Sequence, residues 1–238
     1  MQVISNLKQI ALDLLFPMRC IGCRNEGSLL CSRCREGLAM IPPSCVVCKK
    51  LVPARQSVIA GRTCRPCRRK SHVFAFFSPY LYQNETIRDL IHQLKYRRVR
   101  EIRTVLADLV LRSLNYFTVK IPTEAIMIPI PLYPSRERVR GFNQSALIAE
   151  ALCPTLGVRH RPDILRKIKK TAPQMGLSAE KRRTNLIGTF AVADQAAIKD
   201  KTLILLDDVK TTGTTLEEAA RVLRDAGGKR IWAITVAH

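Results

Sequence analysis

Apolar positions along the chain change their spacing several times, and each change marks an element. Val3, Ile4, Leu7, Ile10, Ala11, Leu14 and Leu15 recur at helical intervals around Lys8, Gln9 and Asp13, which predicts an amphipathic helix over residues 1–16. Residues 17–70 lose that rhythm, and their scattered apolar positions are too few to make a core alone. Residues 74–82 (FAFFSPYLY) read as a strand. Ile87, Leu90, Ile91 and Leu94 then return to helical spacing, as do Val99, Ile102, Leu106, Leu109 and Val110 in a helix expected from about 99 to 115. Beyond it strands and helices alternate: a buried strand at 126–130, a helix at 145–156, and a basic segment at 163–192 with strand-like ends. A strand at 202–206, a helix at 215–225 stopped by Gly227 and Gly228, and a last strand at 231–236 complete the chain. This order predicts a mainly parallel α/β sheet over residues 73–238, preceded by a cysteine-rich unit over 17–72.

Composition adds two things to that picture. Forty Lys and Arg against 19 Asp and Glu give a formal charge of +21 in 238 residues, a surface that attracts polyanions such as DNA, RNA or phosphorylated small molecules. Nine cysteines are the second. Eight form four C-x-x-C pairs, Cys20/Cys23, Cys31/Cys34, Cys45/Cys48 and Cys64/Cys67, while Cys153 stands in an apolar stretch as a buried small hydrophobe. The N-terminal apolar run is broken by charges and lacks a small-x-small cleavage site, so an exported, disulfide-stapled domain is not expected. No run is long enough to cross a bilayer. The expectation is a soluble cytoplasmic protein, in which paired cysteines hold metal.

Zinc prefers four thiolates in a tetrahedron, and two C-x-x-C turns supply them. The pairs are separated by seven, ten and fifteen residues, and the longest gap lies in the range read as a zinc site. Taken in order they make two four-cysteine structural sites; a crossed pairing, first with third and second with fourth, satisfies the same chemistry. Redox motifs of the thioredoxin type occur singly before a βαβ unit, not four in a row.

Residues 203–216 (LILLDDVKTTGTTL) carry the most chemistry. An apolar strand ends in Asp207 and Asp208, and the loop Thr211, Thr212, Gly213, Thr214, Thr215 runs straight into a helix. Backbone N–H groups at a helix start form an anion site, glycine permits close approach, and threonine hydroxyls add donors. Carboxylates just before such a loop are placed to accept hydrogen bonds from a sugar diol. Capping the helix needs only one such residue, so two acids and four threonines are an excess. No Walker loop is present.

This stretch resembles the phosphoribosyl pyrophosphate (PRPP) signature of type I phosphoribosyltransferases, with every signature position filled. The resemblance implies that Asp207 and Asp208 bind the ribose hydroxyls and that residues 211–215 bind the 5′-phosphate, with magnesium accompanying PRPP. Arg136, Arg138 and Arg140, in a loop expected after the strand that ends at Pro129-Ile-Pro131, are candidates to clamp the diphosphate, with a nucleic-acid contact as the alternative. Residues 166–185 resemble the loop that closes over PRPP, with Lys169, Lys170 and Gln174 as candidate contacts.

The LLFP segment before Cys20, the four C-x-x-C pairs, LIHQLKY at 90–96, RERVRGFNQ at 136–144 and TAPQ at 171–174 together resemble the ComF family over essentially the whole chain. That resemblance implies a double zinc ribbon joined to a phosphoribosyltransferase domain and a link to natural competence, with single-stranded DNA or DNA-uptake proteins as partners. Two functions remain open on the sequence: an enzyme transferring phosphoribosyl to an unknown acceptor, or a PRPP or nucleotide sensor that binds DNA or a partner.

Overall fold

The computed structural model describes residues 18–55, 58–170 and 187–238. The expected helix at 1–16, the TAPQ segment and Gln174 lie outside them. Five strands form one parallel sheet: β1 (Val73–Phe77), β2 (Ile126–Pro129), β3 (Arg159–His160), β6 (Thr202–Val209) and β7 (Arg230–Ala237), in spatial order β1-β7-β6-β2-β3. The antiparallel pair β4 (Leu165–Lys167) and β5 (Phe190–Val192) makes a separate ribbon from the two ends of the basic segment.

β2, β6 and β7 are buried nearly end to end because helices cover both faces. Met127, Ile204, Leu206, Trp232 and Ile234 pack with α2 (Glu85–Tyr96), α3 (Ile102–Tyr116) and α5 (Gln144–Leu156). The alternate residues Ile126, Ile128, Leu203, Leu205 and Ala233 pack with Leu216, Ala219 and Leu223 of α6 (Thr214–Asp225). α5 carries the chain from β2 out to β3, whereas α6 carries it from β6 out to β7 on the other face. The strand order therefore reverses between β2 and β6, which opens a crevice beyond their carboxyl ends.

The strand expected over 74–82 ends at Phe77, because Ser78-Pro79 follows and proline has no N–H for the ladder; Tyr80 keeps a single bridge to Ala237. The loop expected around Arg136 is instead the helix α4 (Pro134–Arg140). Pro134 at its first turn is pre-set for helix, and Gly141, at φ +85°, ends it in the left-handed region. Asn143 then caps α5 by accepting from Ser145 and Ala146 N–H while its amide donates to the Ile130 carbonyl at 3.0 Å.

The cysteine-rich unit is docked on the sheet edge. Phe76 N–H donates to the Gly61 carbonyl at 2.9 Å and Thr63 N–H to the Phe74 carbonyl at 2.8 Å, so residues 61–63 run against β1. A Cβ on Gly61 would fall 2.0 Å from the Phe76 carbonyl oxygen, and φ there is +67°, so glycine is required twice over. Ile21, Leu30, Leu38 and Ala60 join the core of α2 and α3, which is how a unit with few apolar residues buries them. A short helix, α1 (Ser32–Glu36), lies within this unit, and its Arg35 pairs with Asp108 of α3 at 2.9 Å.

Candidate functional site

The eight paired cysteines gather in chain order. Cys20, Cys23, Cys31 and Cys34 form one cluster and Cys45, Cys48, Cys64 and Cys67 the other, with ligand atoms within 4.8 Å of one another in each. The crossed pairing is not the one the fold makes. The two sites share one plan. Arg24 N–H donates to the Cys20 carbonyl and Lys49 N–H to the Cys45 carbonyl, and both residues take positive φ, closing equivalent turns. Cys31 and Cys64 each stand at the head of a helical turn that carries the fourth ligand. Sulfur separations of 3.7 Å (Cys23–Cys31) and 3.6 Å (Cys48–Cys64) match the edge of about 3.8 Å expected for tetrahedral Zn–S bonds.

The thiols' own electrostatics also call for a cation. Burial works against the thiolates of Cys20 and Cys45, but backbone N–H groups outweigh it and pull both to about 6. Hydrogen bonding to neighbouring thiols, with burial and the nearby thiolates, pushes Cys34 and Cys67 up to about 12. Four sulfurs at these distances ionise together only around a metal, so the donor sets fit structural zinc. Cys153 is buried against Met127, with its thiol pushed up to about 11 by burial, and belongs to neither cluster.

The crevice at the switch point holds the second site. β6 delivers Asp207 and Asp208 to its mouth. Asp207 Oδ1 accepts from Ser145 Oγ at 2.9 Å, at the start of α5, and from the Asp208 N–H at 2.9 Å. Asp208 is almost fully buried; its Oδ1 accepts from Val209 N–H at 2.8 Å, and its Oδ2 is ion-paired with Lys95 Nζ from α2. Burial, and then the charge of Asp208, push Asp207 up to about 7. Burial disfavours the Lys95 ammonium, but the two carboxylates outweigh it and its pKa is raised. The acidic pair is thus held together by an internal cation.

Residues 211–215 follow at the head of α6. Gly213 is the N-cap residue at φ +83°, with no side-chain cap of its own, and Thr212 Oγ1 lies 2.9 Å from Thr214 Oγ1. A helix start of this kind presents N–H groups and positive potential to an anion. A cavity of about 640 Å³ opens beside residues 212–214, walled by Lys210, Val46, Val47, Lys70, His72 and Glu217 among others.

The loop expected around the three arginines is a helix, on which Arg136 and Arg140 fall on one flank and Arg138 on the other. Arg140 is buried, hydrogen-bonded to Gln144 and stacked 5.6 Å over the Tyr96 ring. Burial and then Arg136 lower its pKa, with Asp208 offsetting in part. Lys167 of β4 is likewise pushed down by burial and then Arg136, and Asp207 offsets this. Arg140 therefore feels Asp208 and Lys167 feels Asp207, and Arg136 lies close enough to lower both cations. Lys169 and Lys170 are exposed at the far end of β4.

The sequence does not single out Lys95, Ser145 or Lys167. Only Lys95 left a signal: it extends the apolar stripe of Ile87, Ile91 and Leu94, and a lysine on a buried face needs a counter-ion.

Comparison with known proteins agrees with this geometry. The double zinc ribbon domain family matches residues 11–68, and the phosphoribosyl transferase domain family matches residues 143–238. Competence protein F of Haemophilus influenzae is 31% identical over 225 residues, covering 91% of this chain and 95% of that protein. The chain belongs to the competence protein F (ComF) family. Other relatives include the DNA utilization protein YhgH of Salmonella typhi, 30% identical over 86% of this chain and 96% of its own length. Competence protein ComFC of Streptococcus pneumoniae is 28% identical, covering 87% of each chain. This ComF chain thus joins a double zinc ribbon to a phosphoribosyltransferase-type parallel α/β fold. No helix among the described residues is long and apolar enough to cross a membrane.

Proposed function

We propose that this ComF chain binds Mg2+–PRPP in the crevice and transfers its phosphoribosyl group to an acceptor handled during DNA uptake. The observation that carries this reading is the pair Asp207 and Asp208, held by Ser145 and Lys95 directly before a glycine-capped helix start. Asp207 and Asp208 accept the ribose 2′- and 3′-hydroxyls, and residues 211–215 bind the 5′-phosphate through N–H groups and threonine hydroxyls. Arg136 and Arg140 face the diphosphate from the end of the neighbouring strand, and Arg138 is left out. Magnesium would neutralise and orient the diphosphate.

In the transfer the C1–O bond to diphosphate breaks, pyrophosphate leaves with the electron pair, and an acceptor lone pair forms the new bond at C1. A sugar cation of this kind needs precise positioning, which the acidic pair supplies by holding the ribose hydroxyls. The names of the competence and DNA utilization relatives support a role in handling DNA, and the charge of +21 supports a polyanionic partner. Incubation with Mg2+–PRPP and candidate acceptors, single-stranded DNA included, should release pyrophosphate. PRPP binding without release for any acceptor would leave a sensor instead of a transferase.

A further inference from the structure

We infer that the second four-cysteine site sets the position of the phosphate loop, with Glu217 as the positioning residue between them. This rests on residues 211–215 being the phosphate loop. The connection is short and made of strong contacts. Cys64 heads the turn Arg65–Lys70, which carries Cys67, and Ser71 and His72 follow at once. Ser71 Oγ donates to Glu217 Oε2 at 2.6 Å, His72 N–H donates to Oε1 at 2.6 Å, and His72 Nδ1 lies 2.7 Å from the same oxygen. Glu217 is in the first turn of α6, and its own N–H donates to the Gly213 carbonyl at 2.9 Å. A carboxylate gripped by the zinc turn is therefore one hydrogen bond from the glycine of the loop.

The other half of the same site reaches the same helix. Val46, between Cys45 and Cys48, packs in the core that contains Leu216, Ala219 and Ala220 of α6. Lys49, which closes that turn, lies close enough to Lys210 to depress its pKa, behind the larger effect of burial. The first site docks elsewhere, on α2 and α3, through Ile21, Leu38 and the Arg35–Asp108 pair.

Electrostatics give the contact a purpose. Glu217 lines the cavity beside residues 212–214, where an ionised carboxylate repels an incoming phosphate. The donors from Ser71 and His72 offset that charge. Gly213 supplies no side-chain cap, so the setting of the loop depends on what holds the first turn of α6. Without zinc the Arg65–Lys70 turn loses its staple, the donors withdraw, and Glu217 faces the phosphate uncompensated.

The test uses the full chain and two readouts, calorimetric titration with Mg2+–PRPP and hydrogen exchange of the amides at 212–217. The double variant Ser71→Ala with His72→Ala should keep both zinc ions, bind PRPP about tenfold more weakly, and exchange faster at 212–217. Cys48→Ser, which removes the second zinc, should reproduce both effects; Cys23→Ser, at the first site, should leave the exchange of 212–217 unchanged. Parent-like affinity and exchange in both the double variant and Cys48→Ser would overturn the coupling, provided Asp208→Asn still weakens PRPP in the same assay. If the parent binds no PRPP the loop assignment fails by itself. The exchange rates then decide the coupling alone, with acceleration supporting it and no change refuting it.

Discussion

Asp207→Asn should make this protein more stable at alkaline pH while weakening its hold on a ribose diol. Asp207 carries a folded-state pKa of about 7 against an ordinary value of 3.8, because burial and the charge of Asp208 disfavour its ionised form. The folded state thus keeps a proton that the unfolded chain has released between roughly pH 4 and 7. Stability falls as pH rises through that window and levels off above it. A shift of about three units corresponds to about 4 kcal/mol at full ionisation, and partial exposure and relaxation reduce this to about 1–3 kcal/mol. Asparagine does not titrate, and its Oδ1 still accepts from Ser145 Oγ and the Asp208 N–H. The expected gain is a Tm about 2–12 °C above the parent at pH 8, shrinking as pH falls toward 4. Thermal melts of the zinc-loaded parent and variant at pH 5 and pH 8 measure it, since any pH effect on zinc ligation is common to both. A variant melting at or below the parent at pH 8, or a gap that does not widen with pH, would refute the reasoning.

Native mass spectrometry of the reduced protein should find two zinc ions per chain, and one after Cys48→Ser; a metal-free parent would remove the basis for both sites. Gly213→Val should weaken PRPP more than either aspartate change, because a β-branched residue is strained at φ +83° where the loop turns, and calorimetry showing parent-like affinity would exclude that turn from the phosphate site. DNA binding should show weak sequence preference, a dissociation constant on the order of micromolar and a steep loss with salt; anisotropy titrations that detect none at low salt would reduce the charge of +21 to a solubility feature.

Elements governed by local chemistry were readable in the chain. The apolar runs at 202–206 and 231–236 became two adjacent interior strands because both faces of the sheet are covered. The C-x-x-C turns paired in chain order, since each needs only its neighbour to complete a tetrahedron. What the sequence does not show depends on contacts between residues far apart in it. Alternating arginines at 136, 138 and 140 suggest an extended loop, yet Pro134 and Gly141 define a helix between them, and that divides the arginines between two flanks. Nothing near Ser145 or Lys167 announces Asp207, because only the packing of the following helix and of the β4–β5 ribbon beside β6 brings them near it. The same holds for Glu217, whose sequence context reads as an ordinary first-turn acid.

The claim that phosphoribosyl binds at the end of β6 is tested most directly by titrating Mg2+–PRPP into the parent and Asp208→Asn by calorimetry. Asp208 is the buried acid paired with Lys95, and a hydrogen bond to a charged acceptor contributes about 1.5–3 kcal/mol. The parent should bind PRPP at one site per chain, and the variant about one to two orders of magnitude more weakly with its zinc content unchanged. Equal affinity in the two proteins, or no binding by the zinc-loaded parent, would contradict the assignment.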